Sequence, residues 1–178
     1  MTATFTINGV TRSIVFDSGS TLLEVLRENG HLDVKHGCGQ GECGTCLVLL
    51  DGKPVNSCQV FAATVDGMSI ITSSGIGSKI EPSAIHEAFA DTGAVQCGFC
   101  TPGMVISTAA LIERNDNPSD KQIAEALSGN LCRCTGYAKT IEAVREAARR
   151  IREEDSDAGN GGRSNAKGKR TKGSNPDA

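Results

Sequence analysis

The chain has no tryptophan, one tyrosine and five phenylalanines among 178 residues. That scarcity argues against the aromatic platforms on which single-stranded nucleic acid stacks. Charge of one dominant sign is also missing. Lys and Arg total 18 against 21 Asp and Glu, a formal net charge of −3, so there is no overall basic footprint for a phosphate backbone. No apolar run approaches the roughly 18 residues of a membrane helix, and no membrane span is expected. The opening Met1-Thr2-Ala3-Thr4-Phe5 has neither a basic n-region nor a twin arginine, and Arg149-Arg150 lies in a late helical stretch. The expectation is a cytoplasmic protein, in which thiols stay reduced and suit metals better than disulfides.

What the chain does have is cysteine, eight of them in two groups of four with none left over. Cys38, Cys43 and Cys46 are followed by Cys58. This is C-x4-C-x2-C plus a distant fourth cysteine, the plant-type spacing for a [2Fe–2S] cluster. Such a cluster with four thiolates carries about −2 when oxidised and about −3 when reduced, which must be compensated by nearby donors. Backbone N–H groups aimed at sulfur supply this without a side chain. Gly37, Gly39, Gly41 and Gly44 allow the loop to wrap closely enough. Cys97 and Cys100, then Cys132 and Cys134, form a C-x2-C with a distant C-x-C. On spacing alone iron–sulfur, structural zinc and a thiol redox pair all remain open for this second group.

Two apparent motifs are set aside. Gly39 to Gly44 matches the G-x-G-x-x-G pattern, but it holds a cysteine and has no preceding strand or βαβ unit. His36 does not indicate Rieske ligation, because that type needs two His and two Cys and four Cys are already present. His31, His36 and His86 read as surface or packing residues.

Local patterns suggest an α+β fold. Residues 3–9 and 11–16 read as a hairpin turning at Asn8-Gly9. Thr21 and Glu24 make a capping box for a helix that Gly30 ends. Leu47 to Leu50, Pro54-Val55 and Met68 to Thr72 read as strands, with a turn at Asp51-Gly52. Ser73 to Ser78 is a flexible seam. Beyond it, Pro82 opens a helix, Thr101-Pro102 is an N-cap and first-turn pair, and Ser119 with Gln122 caps a third helix. Ile141, Val144, Ala147, Ala148 and Ile151 mark a fourth. The predicted divisions are 1–76, a ferredoxin-like unit; 77–152, a four-helix bundle; and 153–178, a disordered tail without large apolar residues. The basic patch from Lys167 to Lys172 reads as solvated, although nucleic-acid binding by it is a third reading of the chain.

Three stretches together resemble a known family. They are Gly37-Cys38-Gly39-Gln40-Gly41-Glu42-Cys43-Gly44-Thr45-Cys46, Gln96-Cys97-Gly98-Phe99-Cys100-Thr101-Pro102-Gly103, and Asn130-Leu131-Cys132-Arg133-Cys134-Thr135-Gly136-Tyr137. They look like the iron–sulfur subunit of the molybdenum hydroxylases, the xanthine oxidase superfamily, from about residue 3 to about 152. The resemblance implies two [2Fe–2S] clusters. Cys38, Cys43, Cys46 and Cys58 would hold one in a β-grasp domain, and Cys97, Cys100, Cys132 and Cys134 the other in a helical domain. It implies a large partner subunit binding a molybdopterin cofactor, close to Gln96 and Cys134. It implies a medium partner binding FAD, close to the first cluster, in a hetero-oligomer such as a dimer of heterotrimers. No catalytic residue is expected on this chain. The expected role is one-electron relay from the molybdenum centre to FAD or another acceptor. The first loop leans towards purine and N-heterocycle enzymes. The alternative is a freestanding plant-type ferredoxin with a zinc-stabilised interaction domain.

Overall fold

The computed structural model describes residues 1–77 and 83–160, the last four of these as backbone only. The chain opens with β1 (Thr2–Ile7) and β2 (Val10–Val15), paired antiparallel from Thr2↔Val15 to Ile7↔Val10. The turn between them puts Asn8 at φ 50° and Gly9 at φ 80°, the left-handed pair that a two-residue hairpin needs. Helix α1 (Leu22–Glu28) starts at the Thr21–Glu24 capping box and stops at Asn29, followed by Gly30 at φ 87°. Then come β3 (Leu47–Leu50), β4 (Lys53–Asn56) and β5 (Ser69–Ile71). The sheet order is β2-β1-β5-β3-β4. β1 and β5 run parallel, and the remaining pairs are antiparallel.

One face of this mixed sheet packs on α1. Phe5, Ile7, Leu22, Leu26, Val48 and Ile70 are fully buried there, and Phe5 and Phe16 stack at 5.9 Å between ring centroids. Each such side chain contributes roughly 1.5–3 kcal/mol by leaving water.

Four helices follow: α2 (Ala84–Asp91), α3 (Thr101–Arg114), α4 (Asp120–Leu127) and α5 (Ala138–Asn160). Their shared core includes Phe89, Met104, Ile123, Val144 and Ala147. A third cluster joins the halves: Ile106 and Ala110 of α3 pack on Leu49, with Leu47, Ile71 and Ile76 around them. Helix α3 therefore serves both cores. Through it, the start of α3 is held against the cysteine loop of the sheet half.

Several expectations change. Helix α3 has Cys100, not Thr101, at its N-cap, with φ −80° and ψ −20°, and no side chain caps it. The chain is already helical at the cysteine, which moves Thr101 to the first turn. Ser73 to Gly75 is not a flexible seam but a 3-10 turn. Ser73 is buried, and Ser74 donates its N–H to Asp33 at 2.9 Å. Pro82 and Ser78 lie outside the described residues, and the second helix is capped by Ser83. Order does not fail at Glu153: α5 runs on to Asn160. Apolar burial is not what carries that extension. Arg149 bridges Glu146 and Glu153 at 2.7 and 2.6 Å, pairs one turn apart that stabilise a helix locally. Residues 161–178, including the basic patch, lie outside the described residues.

Candidate metal centres

The first site is a loop between α1 and β3 completed by a turn after β4. Residues 37–46 form the loop, and Cys58 sits in a 3-10 turn, Ser57–Gln59. The backbone N–H groups of Cys38 and Gln40 point at the sulfurs of Cys43 and Cys38, at 3.4 and 3.3 Å. Neighbouring N–H groups, that of Gln40 foremost, bring the Cys38 thiol down to about 6. Cys46 lies buried beside Cys58, and burial pushes its thiol up to about 11. Polar side chains brace the loop from outside. Asn56 donates to the Gly41 carbonyl at 2.9 Å, and Gln59 donates to the Gly39 carbonyl at 3.1 Å and to the Cys58 sulfur at 3.4 Å. Ser57 ties its hydroxyl to the Cys46 carbonyl at 2.7 Å.

The second site joins the loop before α3 to the loop between α4 and α5. The sulfurs of Cys134 and Cys97 are 3.7 Å apart. Cys100 neighbours Cys132, and burial, then the Cys132 thiol, drive Cys100 up to about 12. Burial acts on Cys132 as well, but the hydroxyl and N–H of Thr135, 3.2 and 3.4 Å from its sulfur, win and bring it to about 7. The Tyr137 hydroxyl accepts from the Cys132 N–H at 2.9 Å and donates to the Asn130 carbonyl at 2.8 Å.

All eight predicted cysteines are thus brought together, and in each site they come as two pairs: Cys38 with Cys43, Cys46 with Cys58, Cys97 with Cys134, Cys100 with Cys132. Thiols held two by two suit a [2Fe–2S] group, since its two irons each take two thiolates. In three of the pairs one buried sulfur or one shared proton resists ionisation, so the positive charge of iron is what such a donor set needs. The residues present fit a [2Fe–2S] group in each site.

Gln96 is exposed next to Cys97. Cys38, Cys97 and Cys134 reach the surface, and Val95, Phe99 and Leu131, which flank cysteines of the second site along the chain, are exposed. The histidines take no part in these pairs: His86 bonds Ser83 at 2.8 Å, and His36 lies over Gly39. The residues that sequence reasoning missed are the bracing ones: Asn56, Gln59, Asn130, Thr135 and Tyr137. The last three lie within the Asn130-to-Tyr137 motif, but nothing in their spacing announces their partners.

The comparisons agree with this geometry. Residues 5–68 match the family model described as 2Fe-2S iron-sulfur cluster binding domain, and residues 72–145 match the [2Fe-2S] binding domain. The chain is 46% identical over 151 residues to the nicotinate dehydrogenase small FeS subunit of Eubacterium barkeri, covering 84% of this chain and 96% of that one. It is 44% identical over 144 residues to the xanthine dehydrogenase iron-sulfur-binding subunit of Escherichia coli O157:H7, covering 78% and 89%. Its fold superposes on a chain of quinoline 2-oxidoreductase from Pseudomonas putida 86 with a TM-score of 0.82 at 38% identity, covering 86% and 96%. The aldehyde oxidoreductase of Desulfovibrio desulfuricans matches with a TM-score of 0.83 at 39% identity, but there this chain spans only 17% of a much longer one.

Proposed function

This chain belongs to the small iron–sulfur subunits of the molybdenum hydroxylases, and from that membership we propose how its two sites divide the work of an electron-transfer subunit. Cys38, Cys43, Cys46 and Cys58 hold one [2Fe–2S] cluster in a β-grasp domain. Cys97, Cys100, Cys132 and Cys134 hold the other in a four-helix domain. When bound, these groups supply one-electron redox chemistry at two successive points. The observation that carries the reading is the arrangement of the thiols as two neighbouring pairs in each site.

The chain's own residues fix the sulfurs and meet the partners. N–H groups of Cys38, Gln40 and Thr135 stabilise negative charge on sulfur and so raise the ease of reduction. The exposed Gln96 and Cys134, with the exposed Phe99 and Leu131 near them along the chain, face a large subunit that binds molybdopterin. The Gln96 amide can donate and accept, which suits a polar heterocycle edge. The exposed Cys38 side faces a medium subunit that binds FAD, within a hetero-oligomer such as a dimer of heterotrimers. The cytoplasm, where thiols stay free for iron, suits such a chain. No helix among the described residues is long and apolar enough to cross a membrane. Relatives named for nicotinate, xanthine and quinoline favour an N-heterocyclic substrate, bound on the large subunit.

The test is metal content and assembly. The purified chain should carry about four iron and no zinc, with two distinguishable EPR signals when reduced. It should have no hydroxylase activity alone and should capture a molybdenum-binding subunit. One signal with stoichiometric zinc, or substrate turnover by the chain alone, would overturn the reading.

A further inference from the structure

The two cysteine loops are hydrogen-bonded directly to each other. The Leu131 N–H donates to the Cys43 carbonyl at 3.0 Å. The Asn130 side-chain amide donates to the next carbonyl, that of Gly44, at 3.2 Å. Two successive carbonyls of the first loop are thereby held by two successive residues of the second. Leu131 precedes Cys132, so one hydrogen bond ties the carbonyl of a cysteine in one site to the residue next to a cysteine in the other.

Asn130 is 1% exposed, and each of its polar groups is used. Its Oδ1 accepts from the Ser107 hydroxyl of α3 at 2.6 Å. Its carbonyl accepts from Tyr137 at 2.8 Å, and its N–H donates to Leu127 at 2.9 Å. The residue spans three elements: the first loop, helix α3 and the second loop. The C-cap of α4 is Ser128, not Asn130. A buried amide with every group satisfied admits one orientation, since any other strands a donor or acceptor away from water.

We propose that Asn130, oriented by Ser107, is the positioning residue that locks the two cysteine loops together and sets how strongly the two metal centres communicate. The inference rests on the function proposed above. Loss of the lock lets the loops part at the Leu131–Cys43 bond while each set of four cysteines stays intact.

The test uses the full chain with both centres assembled, comparing Asn130→Ala and Ser107→Ala with the unaltered protein. Three quantities are read: iron per chain, hydrogen exchange of the segment containing the Leu131 amide, and the spin–spin interaction between the two reduced centres in EPR. A merely structural role would lower melting temperature without altering the interaction between the centres. The lock predicts unchanged iron, exchange at Leu131 severalfold faster, and a weakened spin–spin interaction. Ser107→Ala, which frees the amide but removes nothing from either loop, should act in the same direction and less strongly. If Asn130→Ala sheds iron, Ser107→Ala alone decides. Iron retained with exchange and spin–spin interaction both unchanged would overturn the lock and leave the proposed function standing. Zinc in the second site of the unaltered protein would overturn both.

Discussion

Gly103, in the first turn of α3, lies so close to Gly44 that a methyl group there would overlap the Gly44 carbonyl oxygen. Gly44 is itself at φ 66° and packed on the backbone of Gly129. The first cysteine loop is therefore wedged between the start of α3 and the second loop, with backbone against backbone. Gly103→Ala should cost about 1–3 kcal/mol of stability, the usual range for forcing an extra carbon into a packed site. Gly44→Ala should cost more, because it adds left-handed strain to overlap. Thermal unfolding of the iron-loaded chain checks the order. Equal melting temperatures for Gly103→Ala and the unaltered protein would show that the loops separate freely.

Replacing one cysteine of each set separates the sites. Cys46→Ser should lower iron from about four to about two per chain and remove one EPR signal, leaving the other. Cys134→Ser should do the reverse. The two sets share no cysteine, and each loop is braced by its own polar residues, Asn56 and Gln59 for the first and Thr135 and Tyr137 for the second. Simultaneous loss of both signals from either variant would mean that the sites fold as one unit.

What could be read from the sequence was local or periodic. The Thr21–Glu24 and Ser119–Gln122 capping boxes both form as expected, because each needs only residues three apart. Asn8-Gly9 makes its turn for the same reason. The cysteine groups were legible because metal spacing is a chemical signature. The pairing within them was not: Cys97 meets Cys134 across 37 residues, and only the packing of α3 and α5 on α2 and α4 brings them close. The Asn130 amide reaches Gly44 across 86 residues, a contact no local pattern encodes. Thr101 misled because Thr before Pro is a good cap by itself, whereas the helix had already begun at Cys100. The extension of α5 past Glu153 is not legible in apolar periodicity, because charge pairs along the helix, Arg149 with Glu146 and Glu153, support it.

Tyr137 is a non-glycine residue at φ 67°, and its hydroxyl both accepts from Cys132 and donates to Asn130. Tyr137→Phe keeps the ring and removes both bonds. It should cost about 1–3 kcal/mol, because a partly buried N–H and carbonyl lose their partner together. The EPR signal of the second site should shift while that of the first stays in place, since N–H orientation around sulfur tunes one centre only. A shift in the first signal instead would contradict the assignment of Tyr137 to the second loop.

Two truncations test the end of α5. Removing residues 161–178 should leave iron content, melting and assembly unchanged, because that stretch has no large apolar residue to bury. Removing everything after Arg152 deletes Glu153 and its exposed pair with Arg149, which should cost only about 0.3–0.5 kcal/mol. Chemical denaturation separates the two. Failure of the shorter chain to capture the large subunit would make the end of α5 a docking segment.

Glu146 gives a pH dependence of determinate sign. Its carboxylate accepts from Arg149 at 2.7 Å and from Arg150 at 2.7 Å, and Arg150 in turn reaches Asp91 of α2 at 2.8 Å. These bonds, that from Arg149 first, hold the Glu146 carboxyl down to about 2 from an ordinary 4.5. A carboxyl depressed by folding stabilises the folded state fully above its unfolded value, and that contribution fades as pH falls from 4.5 towards 2. Across this window the unaltered protein should lose stability more steeply than Glu146→Gln, which has no proton to take up. Acid removes iron from both variants alike, so the difference between them isolates the carboxylate. The side chain is partly open to solvent, so the difference should shrink at about 1 M salt, where the Debye length falls to roughly 3 Å. Denaturant unfolding followed by helical circular dichroism at several pH values measures it. Identical slopes for the two proteins would mean that the α5 ion pairs, although well formed, do not couple to folding.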